Sequence, residues 1–213
     1  MHEALTWHQQ THAVKAVAAL LKNHFRAVYV PTKEEAAKLI LEETDPGAVV
    51  GMGGSWTLSQ LNIQEALEKR GNKILNHNIP GLSPAESLSL RHQQLSCDVF
   101  LSSVNALTFD GQIVNVDGSG NRVAAMIFGP KKTILVAGFN KLCPTVEDAI
   151  TRIENCAAPV NAKRLNRKTP CTHTGICQDC ESPERICSVT TIMHKKPGPD
   201  DILVILVGET LGF

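Results

Sequence analysis

Apolar positions along this chain follow two alternating rhythms. Val14, Val17, Ala18 and Leu21 recur at helical spacing, which predicts an amphipathic helix over the first two dozen residues with those four on its apolar face. Residues 26–30 (RAVYV) are a short β-rich run closed by Pro31. Thr32 with Glu35 three places on is a capping box, opening a helix whose apolar face is Ala37, Ile40 and Leu41. AVVGMGGSWT reads as a buried strand running into glycines and then a helix over 58–70, and KILN (73–76) is again strand-like. Ser83-Pro84-Ala85-Glu86 starts a helix, with a serine cap, proline at the first position and glutamate at the third. DVFLS (98–102) is an apolar strand.

The rhythm then changes. Two β-rich runs, 107–109 and 112–116, flank Asp110-Gly111, the pair expected of a tight hairpin. TILVA (133–137) is a buried strand, and Thr145 with Glu147 and Asp148 opens a helix bearing Val146, Ala149, Ile150, Ile153 and Ala157. After Pro159 the chain turns basic and polar, then rich in cysteine. Two strand-like runs, 188–193 and 202–207, close it around a Pro-Gly-Pro turn. Alternating strands and helices predict an α/β fold, a mostly parallel sheet with helices on both faces. The hairpin and the two terminal strands are expected as antiparallel additions. Residues 1–158 read as one α/β domain, and 159–213 as a cysteine-rich extension packed on it.

Composition narrows the function classes. The formal net charge is zero and aromatics make up only 4% of the chain, which argues against a nucleic-acid partner. The apolar run 202–207 is far too short to cross a bilayer, so no membrane role is expected. The N-terminal residues lack a cationic-then-apolar signal pattern and the cysteine count, seven, is odd. Both point to a reducing cytoplasm without disulfides.

Three segments carry candidate chemistry. In the glycine loop 51–57, Gly53 and Gly54 allow close backbone approach, and Ser55 or Thr57 can add a hydroxyl at the start of a helix, where an anion is favoured. A tight turn capped by Ser55 is the plain alternative. The loop lacks the ending of a Walker sequence and the third glycine of a dinucleotide fingerprint. The second segment, 102–132, is dense in Asn105, Asp110, Asn115, Asp117, Asn121 and Arg122. Asp110 and Asp117 fit turn chemistry at least as well as ligand binding, whereas Asn105 and Arg122 fit it less easily and rank higher as contacts. Arg122 and Phe128 stand where a calcium loop needs glycine and glutamate. Lys141, just past a buried strand, offers a second cation at the same sheet edge, or is simply a solvated lysine. Glu86 is explained by its capping box. No Ser/His/Asp order, HExxH pair or nucleophile elbow is present.

The third segment, PCTHTGICQDCESPERIC (170–187), holds Cys171, Cys177, Cys180 and Cys187. Its central Cys-x-x-Cys is the usual chelating half of a tetrahedral thiolate site, and His173 is a spare ligand. Structural zinc, an iron–sulfur cluster, a redox dithiol at Cys177 and Cys180, and reduced thiols all remain open. Cys97, Cys143 and Cys156 have apolar neighbours and are expected in the core.

GMGGSWT, the long central stretch from SPAESLSL to VAGFNKL, and the tail from AAPVNAKRL to ILVGETLGF resemble the LUD-domain family, named for lactate utilisation. The resemblance implies a fold similar to that of ribose-5-phosphate isomerase and the CoA transferases, whose first glycine-rich loop contacts phosphate or cofactor. It also implies a link to oxidation of lactate to pyruvate, in a family some of whose members are fused to ferredoxin-like modules. No established set of catalytic residues comes with it, and the chain shows no ferredoxin cysteine run. Two functions of different class follow. One is a protein that binds, and in the enzyme case transforms, a small anionic metabolite or a phosphorylated or CoA-like ligand at Gly53, Gly54, Ser55, Asn105, Arg122 and Lys141. The other is a metal-binding accessory protein that docks an oxidoreductase partner. Homo-oligomerisation is compatible with either.

Overall fold

The computed structural model describes residues 2–198 and 200–213; Pro199, of the Pro-Gly-Pro turn, lies outside them. The strands are β1 (Arg26–Val30), β2 (Val49–Met52), β3 (Lys73–Asn76), β4 (Val99–Ser103), β5 (Ala106–Thr108), β6 (Ile113–Asp117), β7 (Lys132–Gly138), β8 (Leu142–Cys143), β9 (Val189–Met193) and β10 (Asp201–Val207). The helices are α1 (Glu3–Lys22), α2 (Lys33–Glu42), α3 (Trp56–Gln60), α4 (Ile63–Lys69), α5 (Pro84–Gln94), α6 (Asn121–Ile127), α7 (Val146–Arg152), α8 (Ala158–Arg164) and α9 (Cys171–Thr174).

Six strands pair in the order β1-β10-β7-β4-β2-β3, and every pairing is parallel. A core on one face gathers Ala13, Ala16 and Leu20 of α1 with Ala125 and Met126 of α6. The opposite face packs Ala36 and Ile40 of α2 with Leu58, Ile63 and Leu67 of α3 and α4. A smaller mixed sheet, β8-β5-β6-β9, lies against Ala149 and Ile153 of α7 and the turn after it. The capping box at Ser83 forms and Thr145 makes a further one with Asp148, whereas at α2 Thr32 accepts from Glu35 N without the return bond that would complete its box. The hairpin turns at Asp110-Gly111, where Gly111 has φ +72° and a Cβ would meet the Ala19 and Leu20 backbone at 2.7 Å.

Four expectations are corrected. β10 is not an antiparallel addition: it runs parallel between β1 and β7, with Ile202 and residues 204–207 wholly buried. Segment 159–213 therefore completes the main sheet instead of packing on a finished domain, while β9 does pair antiparallel with β6. The buried face of α1 is Ala13, Ala16 and Leu20, because the helix lies close on β1 and β10 where small side chains fit. Val14 and Leu21 face outward with Trp7, an exposed apolar line at seven-residue spacing. Cys97 and Cys143 are buried, but Cys156 is exposed; all seven cysteines are free thiols.

Residues 146–164 form one rod interrupted by a π-helical turn, Ile153–Ala157. Pro159 explains the turn. A proline ring clashes with the carbonyl four residues back, and widening the helix relieves that clash. Ala158 N–H then bonds Ile153 O, five residues back. The next carbonyl in that register, Glu154 O, would need an N–H that Pro159 does not have. Cys177 N–H takes it instead, at 3.0 Å. The cysteine segment is thus anchored on the carbonyl that Pro159 leaves free.

Candidate functional site: a cationic crevice at the sheet edge

From the C-terminal end of β2 the chain leaves toward β3, and from β4 it leaves toward β7 on the other side. Divergent connections from neighbouring parallel strands open a crevice, the usual ligand position in such sheets. A cavity of about 210 Å3 occupies this place. Gly54 and Ser55 follow β2 into it, Ser102 and Ser103 end β4, His77 follows β3, and Lys141 follows β7.

Lys141 is 4% exposed. Its Nζ donates to Ser103 Oγ (2.6 Å), Thr57 Oγ1 (2.9 Å) and Val104 O (3.1 Å). Burial, and next the charges of Arg152 and Arg122, pull its pKa down to about 7. Arg152 also fixes the local chain: Nε bonds Asn140 O and Nη1 bonds Asn105 O.

Arg122 is committed to the fold. Its Nη1 bonds Ser103 O and Asn115 Oδ1, Nη2 bonds Asn105 Oδ1 and Val116 O, and Nε lies 3.4 Å from Asp117. This guanidinium ties β4, β6 and α6 together and lends positive potential rather than a free fork. Asp117 also accepts from Ser119 N and Val123 N, capping α6. Asn105 lines the cavity, and its Nδ2 has no hydrogen-bond acceptor among the described residues, unlike its Oδ1. Asp110 is not brought to the site; it is exposed in the β5–β6 turn, where Asn23 Nδ2 bonds its carbonyl.

The glycine loop contributes less directly than its sequence suggests. Gly53 N–H completes the β2–β4 pairing by bonding Leu101 O, and a Cβ there would meet Ser102 Oγ at 3.1 Å. Gly53 lines a second cavity, of about 320 Å3, which shares Gly54, Ser55, Asn78 and Arg164 with the first. Gly54 passes beside Asn78, and Ser55 caps α3 through its bond from Leu58 N.

The cations of this crevice are mostly ones that motif reading misses. Arg91, Arg164 and Arg167 line it with Arg122 and Lys141, against the single side-chain carboxylate of Asp117 among the described lining residues. Arg91 reaches Ser119 by Nη1, while its Nε is buried without a partner. Arg164 holds Asn161 Oδ1 with Nε and Nη2, and Arg167 makes no side-chain hydrogen bond among the described residues. His77 stands 3.1 Å from Gln94 Nε2, which also bonds Met52 O and Leu75 O. Those two carbonyls fix that atom as the amide nitrogen, so Nδ1 faces a donor group and a neutral ring carries its proton on Nε2. Burial, then Arg91, lowers the His77 pKa.

The cysteine segment walls the crevice. Ile186 lines it, a Cβ on Gly118 would meet Ile186 Cα at 3.0 Å, and Ser188 N bonds Asp117 O. Arg185 draws the segment into a loop by bonding Cys180 O and Cys187 O. Cys177 and Cys180 are close enough for their charges to help burial raise the Cys187 pKa. Among the described residues, no three His, Cys, Asp or Glu side chains are arranged to hold a metal ion.

The fold is an open parallel α/β sheet with a cation-lined crevice at its switch point, the position where sheets of this kind take their ligands. The family model for the LUD domain matches residues 14–207, and the chain belongs to that family. The crystal structure of a DUF162 family protein from Deinococcus radiodurans shares the fold, with a TM-score of 0.56 at 16% identity, covering 94% of this chain and 98% of that one. No curated protein matches the chain. No helix of the described residues is long and apolar enough to cross a membrane.

Proposed function

We propose that this LUD-domain protein binds a small organic anion, a carboxylate or phosphorylated metabolite, in the crevice between β2 and β4. One observation carries the reading: the basic side chains of Arg91, Arg122, Arg164, Arg167 and Lys141 line the cavity, while the one side-chain carboxylate among the described lining residues, Asp117, is already paired with Arg122. Arg167 and the remaining donors of Arg91 and Arg164 are available to an anion, and Asn105 Nδ2 and His77 Nε2–H can orient its neutral oxygens. A cavity of this size suits a metabolite of a few carbons, or the phosphorylated end of a larger ligand. Anions including malonate, phosphate and ribose 5-phosphate should raise the melting temperature, less so at high salt. Arg164→Ala with Arg167→Ala should weaken that effect at least tenfold. No shift with any anion at low salt overturns the reading.

A second proposal concerns Cys171, Cys177, Cys180 and Cys187, which would hold zinc or an iron–sulfur cluster as a structural thiolate site. The loop that Arg185 closes around Cys180 and Cys187 supports it. The thiols do not converge as arranged, so loading requires 171–187 to rearrange. Anaerobically purified protein should contain stoichiometric metal, and metal-free protein with four reactive thiols would exclude the site.

A further inference from the structure

The floor of the crevice holds a primary amine with no acid beside it. Among the described residues no carboxylate pairs with Lys141; its partners are two hydroxyls and one carbonyl. The charged groups that bear on it, Arg152 from α7 and Arg122 from α6, are both cationic. Hydroxyls donate as readily as they accept. An ammonium therefore gives its three N–H bonds to Thr57, Ser103 and Val104, while a neutral amine gives two and accepts the third from Ser103 or Thr57. Nothing in this cage demands the charge, and burial with two guanidinium neighbours opposes it. The free amine is therefore accessible here near neutral pH, whereas a solvated lysine is almost wholly ammonium and a poor nucleophile.

We propose that Lys141 forms an imine with a small aldehyde or ketone bearing a carboxylate or phosphate. The inference rests on reading the crevice as an anion site: Arg91, Arg164 and Arg167 hold the anionic end, and the carbonyl carbon reaches Nζ. The Nζ lone pair attacks that carbon, a C–N bond forms and the C–O bond breaks. Both amine hydrogens leave with the carbonyl oxygen as water. No oxidant or reductant takes part.

Reductive trapping tests this on the wild-type protein. Glyoxylate serves as the carboxylate probe and glycolaldehyde phosphate as the phosphate probe, each with cyanoborohydride, followed by peptide mass spectrometry. The expected result is a saturable secondary-amine adduct at Lys141, formed ahead of the exposed lysines, suppressed by malonate and rising as pH passes about 7. The two probes report which anion the crevice prefers. Lys141→Met and Lys141→Arg should lose the adduct, and the wild-type map decides the matter even if neither folds. Anion-induced thermal stabilisation with label only on surface lysines overturns the imine and leaves the anion site standing. No stabilisation and no Lys141 label overturn both.

Discussion

Lys141 makes stability and function pull in opposite directions. An unfolded lysine keeps its proton to a pKa of about 10.4, while the folded Lys141 gives it up near 7. Between those values the unfolded chain binds the extra proton, so this residue makes stability rise with pH across that window and leaves it flat below and above. The span is worth on the order of 5 kcal/mol. Lys141→Met, of similar length and uncharged, should remove the slope. Its stability relative to wild type is then greatest at or below neutral pH and falls toward alkaline pH, as denaturant titration at a series of pH values would show. A variant whose difference from wild type is independent of pH would contradict a neutral buried amine. The sequence puts Lys141 just past a buried strand, and in the structure it follows β7. Its burial was hidden, since that depends on Thr57, Ser103 and the chain around Gly212 closing from three other elements. Arg122 misled in the opposite way: one arginine among turn residues reads as a free fork until its five partners are seen.

At the scale of elements, capping chemistry was the most legible layer, because a cap involves residues three apart and needs no tertiary knowledge. The starts of α2, α5 and α7 follow the sequence for that reason. The π-helical turn was not legible, since it comes from the clash of Pro159 with its own helix and is stabilised by a distant partner, Cys177. This makes it testable. Pro159→Ala restores an N–H that can bond within the helix, so the rod should relax toward regular α-helix and Glu154 O should no longer be free for Cys177. The helix gains while the cysteine segment loses its anchor. Thiol-labelling of Cys177 and Cys180 should quicken several-fold, and amide exchange at Cys177 should lose protection, with overall melting little changed. Unaltered labelling would mean that Arg185 and Ser188, not the freed carbonyl, hold the segment in place. His77, Arg91, Arg164 and Arg167 escaped motif reading because they belong to three separate elements; strand-end position was the available signal for His77, and the basic run after Pro159 for the last two.

For the whole molecule, the decisive strand is the last. The unbroken apolar run 202–207 carries no inside–outside alternation, the mark of a strand buried on both faces in a parallel sheet. Its place near the end of the chain invited the opposite reading, because late strands often add at an edge. In the structure β10 bridges β1 and β7, and without it β1, with α1 and α2 leaning on it, has no partner strand. Six side chains from Ile202 to Val207 are at most 4% exposed. At about 2 kcal/mol each, their burial matches the whole net stability of an ordinary domain. A fragment of residues 1–158 should therefore fail to fold as a unit, giving poorly dispersed amide resonances and no cooperative melting transition. Adding residues 159–213 in trans should restore the transition only if β10 inserts between β1 and β7. A fragment 1–158 that melts cooperatively alone would show that β7, β4, β2 and β3 suffice, and would return the C-terminal segment to the role of an appendage. The crevice requires the longer chain in either case: Arg164, Arg167, Ile186 and Gly212 line it from beyond residue 158, so the fragment should bind no anion even where some structure persists.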